Sequence, residues 1–310
     1  MKRSFYIKLI ISFAIFAFIF YKFEINFNKL LDVFHEYWYI AITLFFPLFI
    51  NQVIVNNRWR ILLKTVGISE KTWTLIKLNN VSAFIGLILP SSQGYDAIRI
   101  YKIEKKYPNN RGIGSTVIIE RIIGLVCLCI IGIIASFFID IIQVKFLIYV
   151  FSLILSGILF LIFNNWCFKV INSFFSKRKR FKKFFEYIST LHKAVYSFPL
   201  KKNLIPTIFL IFLLQINNTI IVYLLFKATG SNIPFVYHLV SMPIINIISM
   251  IPITIGGIGI RDGAFVFMYS LIGIPKEIIV GVSILNYVIV TLIPAGIGGV
   301  FYLKESISKK

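Results

Sequence analysis

Acidic residues are scarce in this chain: 12 aspartates and glutamates stand against 33 lysines and arginines in 310 residues. Only 15% of the residues are charged, where a soluble globular domain carries about 25%. Cysteine and histidine are scarcer still, at three each. Cys127, Cys129 and Cys167 lie in or beside apolar stretches without paired metal-ligand spacing, which excludes a disulfide framework and a thiolate metal site. They read as packing in an apolar phase. His35, His192 and His238 are isolated and fall in predicted links or at an interface. No nucleophile elbow, nucleotide-binding loop or clustered metal triad appears. No cofactor and no metal is expected, and enzyme chemistry has little foothold.

Apolar residues are what the chain has, at 58% hydrophobic and 16% aromatic. Runs of about 20 apolar residues recur throughout, which suits lipid and leaves no soluble segment long enough to build a core. The whole chain, 1–310, reads as a single transmembrane domain. The net charge of +21 sits in short segments between the apolar runs, not on one soluble face, so the expected partner is a membrane surface and not nucleic acid. Lys2 and Arg3 followed by Phe5 to Tyr21 could pass for a signal peptide, but the run is too long and no small-residue cleavage site follows.

Six full spans are expected at about 5–23, 37–57, 113–139, 146–165, 203–226 and 278–302, each long enough for a hydrocarbon core of about 30 Å. Lysines and arginines concentrate at Lys2–Arg3, Arg58–Lys71, Arg99–Arg111, Lys177–Lys202 and Lys304–Lys310. The positive-inside rule puts these segments and both termini in the cytoplasm of a bacterial-type inner (plasma) membrane. Within the basic link at about 166–202, the run Lys177 to Lys183 with its phenylalanines suits an interfacial helix, or serves only as an orientation signal. Two further apolar stretches, 72–89 and 237–253, are interrupted by proline and glycine and then resume. Since 72–107 begins and ends inside and 237–276 begins and ends outside, the fold expected is an all-α polytopic membrane protein with two re-entrant helical hairpins of opposite orientation, related as an inverted repeat. The second stretch also fits two short spans.

Both broken stretches run apolar helix, proline, glycine, then acid and arginine: Leu89-Pro90-Ser91-Ser92-Gln93-Gly94-Tyr95-Asp96-Ala97-Ile98-Arg99 and Ile251-Pro252-Ile253-Thr254-Ile255-Gly256-Gly257-Ile258-Gly259-Ile260-Arg261-Asp262. Irregular backbone at membrane depth is tolerated where it lines a cavity, and paired broken segments point to a transporter's midplane site. The helix that follows each break offers free amides and partial positive charge to an anion, and Arg99 and Arg261 add forked donors suited to phosphate. The competing reading has both arginines reaching an interface and the glycines only packing helices. Glu120 and Arg121 fall inside an expected span, where a charge needs a partner or a wet cavity. Arg58, Arg99 and Arg261 are the candidate partners of Glu120. The amides Asn51, Gln52, Gln215, Asn217 and Asn218 read chiefly as interhelical hydrogen-bond formers. The candidate headgroup-binding residues are Arg58, Gln93, Gly94, Asp96, Arg99, Glu120, Arg121, Gly256, Gly257, Gly259, Arg261 and Asp262.

In this order, Asn57-Arg58-Trp59-Arg60, Leu89-Pro90 through Gly94, Asp96 and Arg99, Ile119-Glu120-Arg121-Ile122-Ile123-Gly124-Leu125, and Pro252 through Gly256-Gly257-Ile258-Gly259-Ile260-Arg261-Asp262 resemble the flippase-like integral membrane family, that of the transmembrane region of lysylphosphatidylglycerol synthase. The resemblance runs from about residue 5 to 303. It implies lipid translocation, with some stand-alone members linked to envelope polysaccharide assembly. No aminoacyl-transferase domain follows Lys310, so lysylation is not implied. Asp262 stands where the family leads one to expect glutamate, and Ser91-Ser92-Gln93 is looser than the family pattern. The leading expectation is a carrier for a phosphate-bearing lipid, an anionic or aminoacylated phospholipid or a polyprenyl-phosphate-linked sugar. Two other readings stand beside it. One is a membrane-embedded glycosyl- or phosphotransferase using Asp96, Glu120 or Asp262 as base. The other is an accessory protein docking an envelope-synthesis partner through the basic link. A homo-oligomer is compatible with each.

Overall fold

A backbone in lipid has no water to bond, so each apolar run must satisfy its own amides, and a helix does so within one segment. The computed structural model describes residues 33–88, 94–108, 110, 112–164, 189, 192, 196, 198, 203–250 and 259–307, and every regular element among them is helical. Helix α1 (Tyr37–Phe45) continues through a wide turn at Phe46–Ile50 into α2 (Asn51–Thr65). Then come α3 (Thr72–Ile88), α4 (Gly94–Lys106), α5 (Ile113–Ser136), α6 (Ile142–Phe163), α7 (Leu204–Ala228), α8 (Phe235–Ser249) and α9 (Ile260–Ser270). Finally α10 (Lys276–Tyr287) passes through a second wide turn, Val288–Leu292, into α11 (Ile293–Ile307). In each wide turn an amide reaches back five residues, Asn51 N to Phe46 O and Ile293 N to Val288 O. Proline sits at or just after each, at Pro47 and Pro294, and cannot donate the ordinary helical bond.

Five segments are long and apolar enough to cross a bilayer: Tyr37–Thr65, Ile113–Ser136, Ile142–Phe160, Leu204–Ala228 and Lys276–Lys304. The expected span at 5–23, the basic run at 177–183 and Cys167 lie outside the described residues. One boundary moves substantially. The helix that carries the span expected at 37–57 runs on to Thr65, and the charge of Arg58 within it is met by Glu120.

The described residues contain the same order of elements twice: a span, a two-armed helical hairpin, a span. In the first half these are α1–α2, α3/α4 and α5; in the second they are α7, α8/α9 and α10–α11. The first span of each half ends in the same way. Gly67 and Gly230 take φ of 80° and 73°, which a residue with a Cβ resists. Each turns the chain back so that the following amide bonds a carbonyl five residues earlier, Ile68 N to Leu63 O and Ser231 N to Phe226 O.

The halves are joined by exchange. The first spans meet through Asn51, whose Nδ2 donates to Asn218 Oδ1 at 3.1 Å while its Oδ1 accepts from Asn217 Nδ2 at 2.6 Å. Arm α3 packs on α11 of the other half, and arm α8 packs on α5. The contacts are close. A Cβ on Gly298 would collide with the carbonyl of Asn80, and one on Gly132 would collide with Ile148 and come within 3.5 Å of Pro243. Each hairpin has its own apolar core. Trp59, Leu62, Leu63, Leu75, Ile103 and Val117 surround the first, and Phe226, Tyr237, Val240, Phe265, Met268 and Tyr269 belong to the second. The foot of the first hairpin is clamped by buried Glu70, which accepts from Lys106 and from Tyr107 Oη at 3.0 Å. This hydrogen bond to Glu70 holds the Lys106 ammonium above its ordinary pKa. Outward, α6 leaves Ile142, Phe146, Leu153, Ile154 and Phe160 exposed, an apolar face suited to lipid contact.

Candidate functional site

Helix α4 begins at Gly94, so Asp96 lies in its first turn and Arg99 three residues on, on the same face. Asp96 Oδ1 and Arg99 Nη2 form an ion pair at 2.7 Å. Two turns into α5, Glu120 and Arg121 project about 100° apart, and they serve different partners. Glu120 accepts from Arg99 through both oxygens at 3.3 Å and from Nη2 of Arg58 on α2. Arg121 turns to Asp96: its Nε donates to Oδ2 at 2.6 Å, and its Nη2 reaches the same oxygen. The result is an alternating chain, Arg58, Glu120, Arg99, Asp96, Arg121, running across three helices. Of the three candidate partners of Glu120, Arg58 and Arg99 are found and Arg261 is not.

Charges so far from water persist only when paired and hydrogen-bonded. Here the pairing is extensive, and Arg99 also lies over two aromatic rings, with the Trp59 and Tyr95 ring centroids 4.8 and 4.9 Å from its Cζ. Trp59 is fixed in turn by its Nε1 donating to Thr116 Oγ1 at 3.0 Å. Among the described residues three guanidiniums face two carboxylates, so the chain carries one surplus positive charge. The Nε atoms of Arg58 and Arg99 are buried without a partner among the described residues. An anion that reached the more exposed Arg121 end of the chain would offset the surplus charge.

Arg261 and Asp262 form a second, smaller cluster. Arg261 Nη2 donates to Asp262 Oδ1 at 2.8 Å, and its Cζ lies 4.6 Å from the Tyr287 ring centroid. Asp262 also accepts from Ser283 Oγ at 2.5 Å and, through Oδ2, from the Gly259 amide at 2.8 Å. The last bond is the N3-to-N-cap half of a capping box, Asp262 covering the amide of the N-cap residue Gly259 at the start of α9, and both its carboxylate oxygens are engaged. Among the described residues no ion pair or hydrogen bond joins the two clusters. Asp262→Ala is expected to lower stability by at least about 1–2 kcal/mol through loss of the capping bond, and by more as Arg261 loses its ion pair, read as the unfolding midpoint of detergent-purified protein. An unchanged midpoint would remove the capping role.

Gln93, Gly256 and Gly257, together with Pro90 and Pro252, lie outside the described residues. His238, expected in a link or at an interface, is instead fully buried in α8, its Nδ1 2.7 Å from Tyr269 Oη. Gln52 forms the interhelical hydrogen bonds expected of it, with a partner on α3 that the sequence does not single out. Gln52 and Asn80 exchange two amide bonds at 3.1 and 3.2 Å, and Asn79 Nδ2 donates to Asn56 Oδ1 at 2.7 Å, zipping α2 to α3. Adjacent Asn79 and Asn80 within an apolar arm were the available signal. Among the described residues no group of three metal-ligating side chains occurs.

Apolar spans, exchanged hairpin arms and a buried ionic chain define a multi-pass α-helical membrane protein. More particularly, the chain belongs to the family of the lysylphosphatidylglycerol synthase transmembrane region, which matches residues 5–299. It is also similar to two curated archaeal proteins. One is a UPF0104 membrane protein of Methanothermobacter thermautotrophicus, 25% identical over 291 residues, covering 84% of this chain and 85% of the relative. The other is the UPF0104 membrane protein MJ1595 of Methanocaldococcus jannaschii, 25% identical over 281 residues, covering 84% and 83%. No solved structure matches the chain.

Proposed function

We propose that the protein carries a phosphate-bearing lipid across the inner (plasma) membrane as part of envelope biogenesis. The observation that carries this reading is the surplus positive charge of the Arg58, Glu120, Arg99, Asp96, Arg121 chain, two members of which lie in the first two turns of α4. A lipid phosphate would neutralise that surplus while its tails stay in the bilayer. The repeated span, hairpin, span order supports an inverted repeat with re-entrant hairpins and alternating access from the two faces. The distribution of lysine and arginine supports cytoplasmic ends. A transferase would need a free carboxylate base, and Asp96, Glu120 and Asp262 are each bound to arginine.

The test is scrambling of fluorescent phosphatidylglycerol, a polyprenyl-phosphate analogue and a phosphate-free glycolipid in reconstituted liposomes. Movement of one or both phosphate lipids by the wild type is expected, with little movement of the glycolipid, and a drop of at least about tenfold in Arg99→Ala plus Arg261→Ala, which removes the central guanidinium of the ionic chain and that of the second cluster. Rates equal to those of protein-free liposomes for every lipid would overturn the reading. Metal-dependent turnover of a lipid-linked donor would move it to the transferase.

A further inference from the structure

The ionic chain is not evenly open. The Arg58 and Arg99 side chains are 10% and 2% exposed, those of Asp96 and Glu120 9% and 8%, whereas that of Arg121 is 34% exposed. The surplus charge therefore has one outlet, and Asp96 already occupies it. Asp96 divides its two oxygens, Oδ1 facing Arg99 and Oδ2 facing the Nε and Nη2 of Arg121. The edge of Arg121 that a carboxylate holds is the edge that a phosphate would hold, since both offer oxygens spaced to match the guanidinium fork.

We propose that Arg121 is the residue that grips the lipid phosphate, and that Asp96 is a resident counter-anion that the phosphate displaces. This rests on the lipid-carrier reading and assigns the contact within it. On binding, Oδ2 leaves Arg121 while Oδ1 stays on Arg99, so Asp96 does not become an unpaired buried charge. The affinity for substrate is then the difference between two anions competing for one fork. A headgroup without phosphate cannot enter that competition. Arg99, with no exposed edge, sets the position of Asp96 and does not itself meet the lipid.

The test uses the purified full-length protein in a neutral detergent, with short-chain dihexanoyl phosphatidylglycerol and, separately, inorganic phosphate as probes. The readout is the concentration of each probe that half-saturates the rise in unfolding temperature. Asp96→Asn should half-saturate at about tenfold lower concentration and Arg121→Gln at about tenfold higher, the scale of one charge-assisted hydrogen bond. Arg121→Lys, which keeps charge but loses the fork, should fall between wild type and Arg121→Gln. Glu70→Gln, at the hairpin foot, should match the wild type. A response to the short-chain lipid alone identifies the headgroup ester as the ligand, and a response to both identifies the phosphate itself; either is consistent with the proposal. Wild-type half-saturation in Arg121→Gln, or binding no tighter in folded Asp96→Asn, overturns it while leaving the carrier reading in place. If Asp96→Asn does not fold, Arg121→Lys decides, and an unchanged value there overturns the proposal. Failure of both probes to act on the wild type overturns it, and if scrambling is absent as well, the carrier reading falls with it.

Discussion

Glu120→Gln is expected to lower the unfolding free energy by about 3–5 kcal/mol, the cost of stranding a buried charge. Glu120 is the hub of the ionic chain: it accepts from Arg58 on α2 and from Arg99 on α4. Arg99 keeps Asp96 when Glu120 is neutralised, but the one ion pair of Arg58 among the described residues is with Glu120. Arg58 would remain buried with no counter-charge among the described residues, where its Nε already lacks a partner. Glutamine preserves size and keeps one acceptor oxygen, so the loss is electrostatic and not steric. The double variant Glu120→Gln plus Arg58→Met removes the stranded charge and should recover at least half of the loss, which a thermodynamic cycle on detergent-purified protein measures. A loss under about 1 kcal/mol in the single variant, the worth of an exposed pair, or a double variant no more stable than the single, would show that the pair is solvated and weak.

That hub also shows how far the sequence could be read. The long spans were legible because lipid imposes length and apolarity on every crossing segment, and the five candidate spans match expected positions. The helix of the second span continues past the expected link at Arg58 and Arg60, which read along the chain only as the start of a cytoplasmic segment. Only packing of α2 against α5 reveals that Arg58 has a carboxylate waiting. The members of the ionic chain were visible as charges in apolar surroundings, yet nothing along the chain selects Arg58 and Arg99 over Arg261 as partners of Glu120. That choice belongs to the tertiary fold. Asp262 was read as a headgroup ligand from its neighbour Arg261. Its spacing of three from Gly259 carried the alternative, a helix cap, and the structure finds that hydrogen bond. Asn79 and Asn80 escaped notice because two amides in an arm have no periodicity and acquire meaning only opposite Asn56 and Gln52.

Gly298→Leu should disturb the molecule through backbone contact instead of charge. At Gly298 the last span lies so close to α3 that a Cβ would overlap the carbonyl oxygen and carbon of Asn80, and it would sit 2.9 Å from the Val81 amide nitrogen. These are main-chain atoms inside a helix, so no rotamer change relieves the clash, and α3 must move from α11. Moving it also strains the reciprocal amide bonds between Asn80 and Gln52. A stability loss of about 3 kcal/mol is expected, at the upper end of the usual range for overpacking. Gly299→Ala should cost less, because its Cβ would meet only the Phe84 ring, at 3.0 Å, and a side chain can yield. Gly296→Ala, with nothing within 4 Å, should be neutral or slightly stabilising, since alanine is the better helix former. The unfolding midpoints of the three variants should rank in that order. Scrambling by Gly298→Leu should fall with its stability if the arm of the first hairpin must be seated on the last span for transport. Equal midpoints for Gly298→Leu and Gly296→Ala would mean that α3 does not lie on α11, and the exchange of arms between the two halves would have to be abandoned with it.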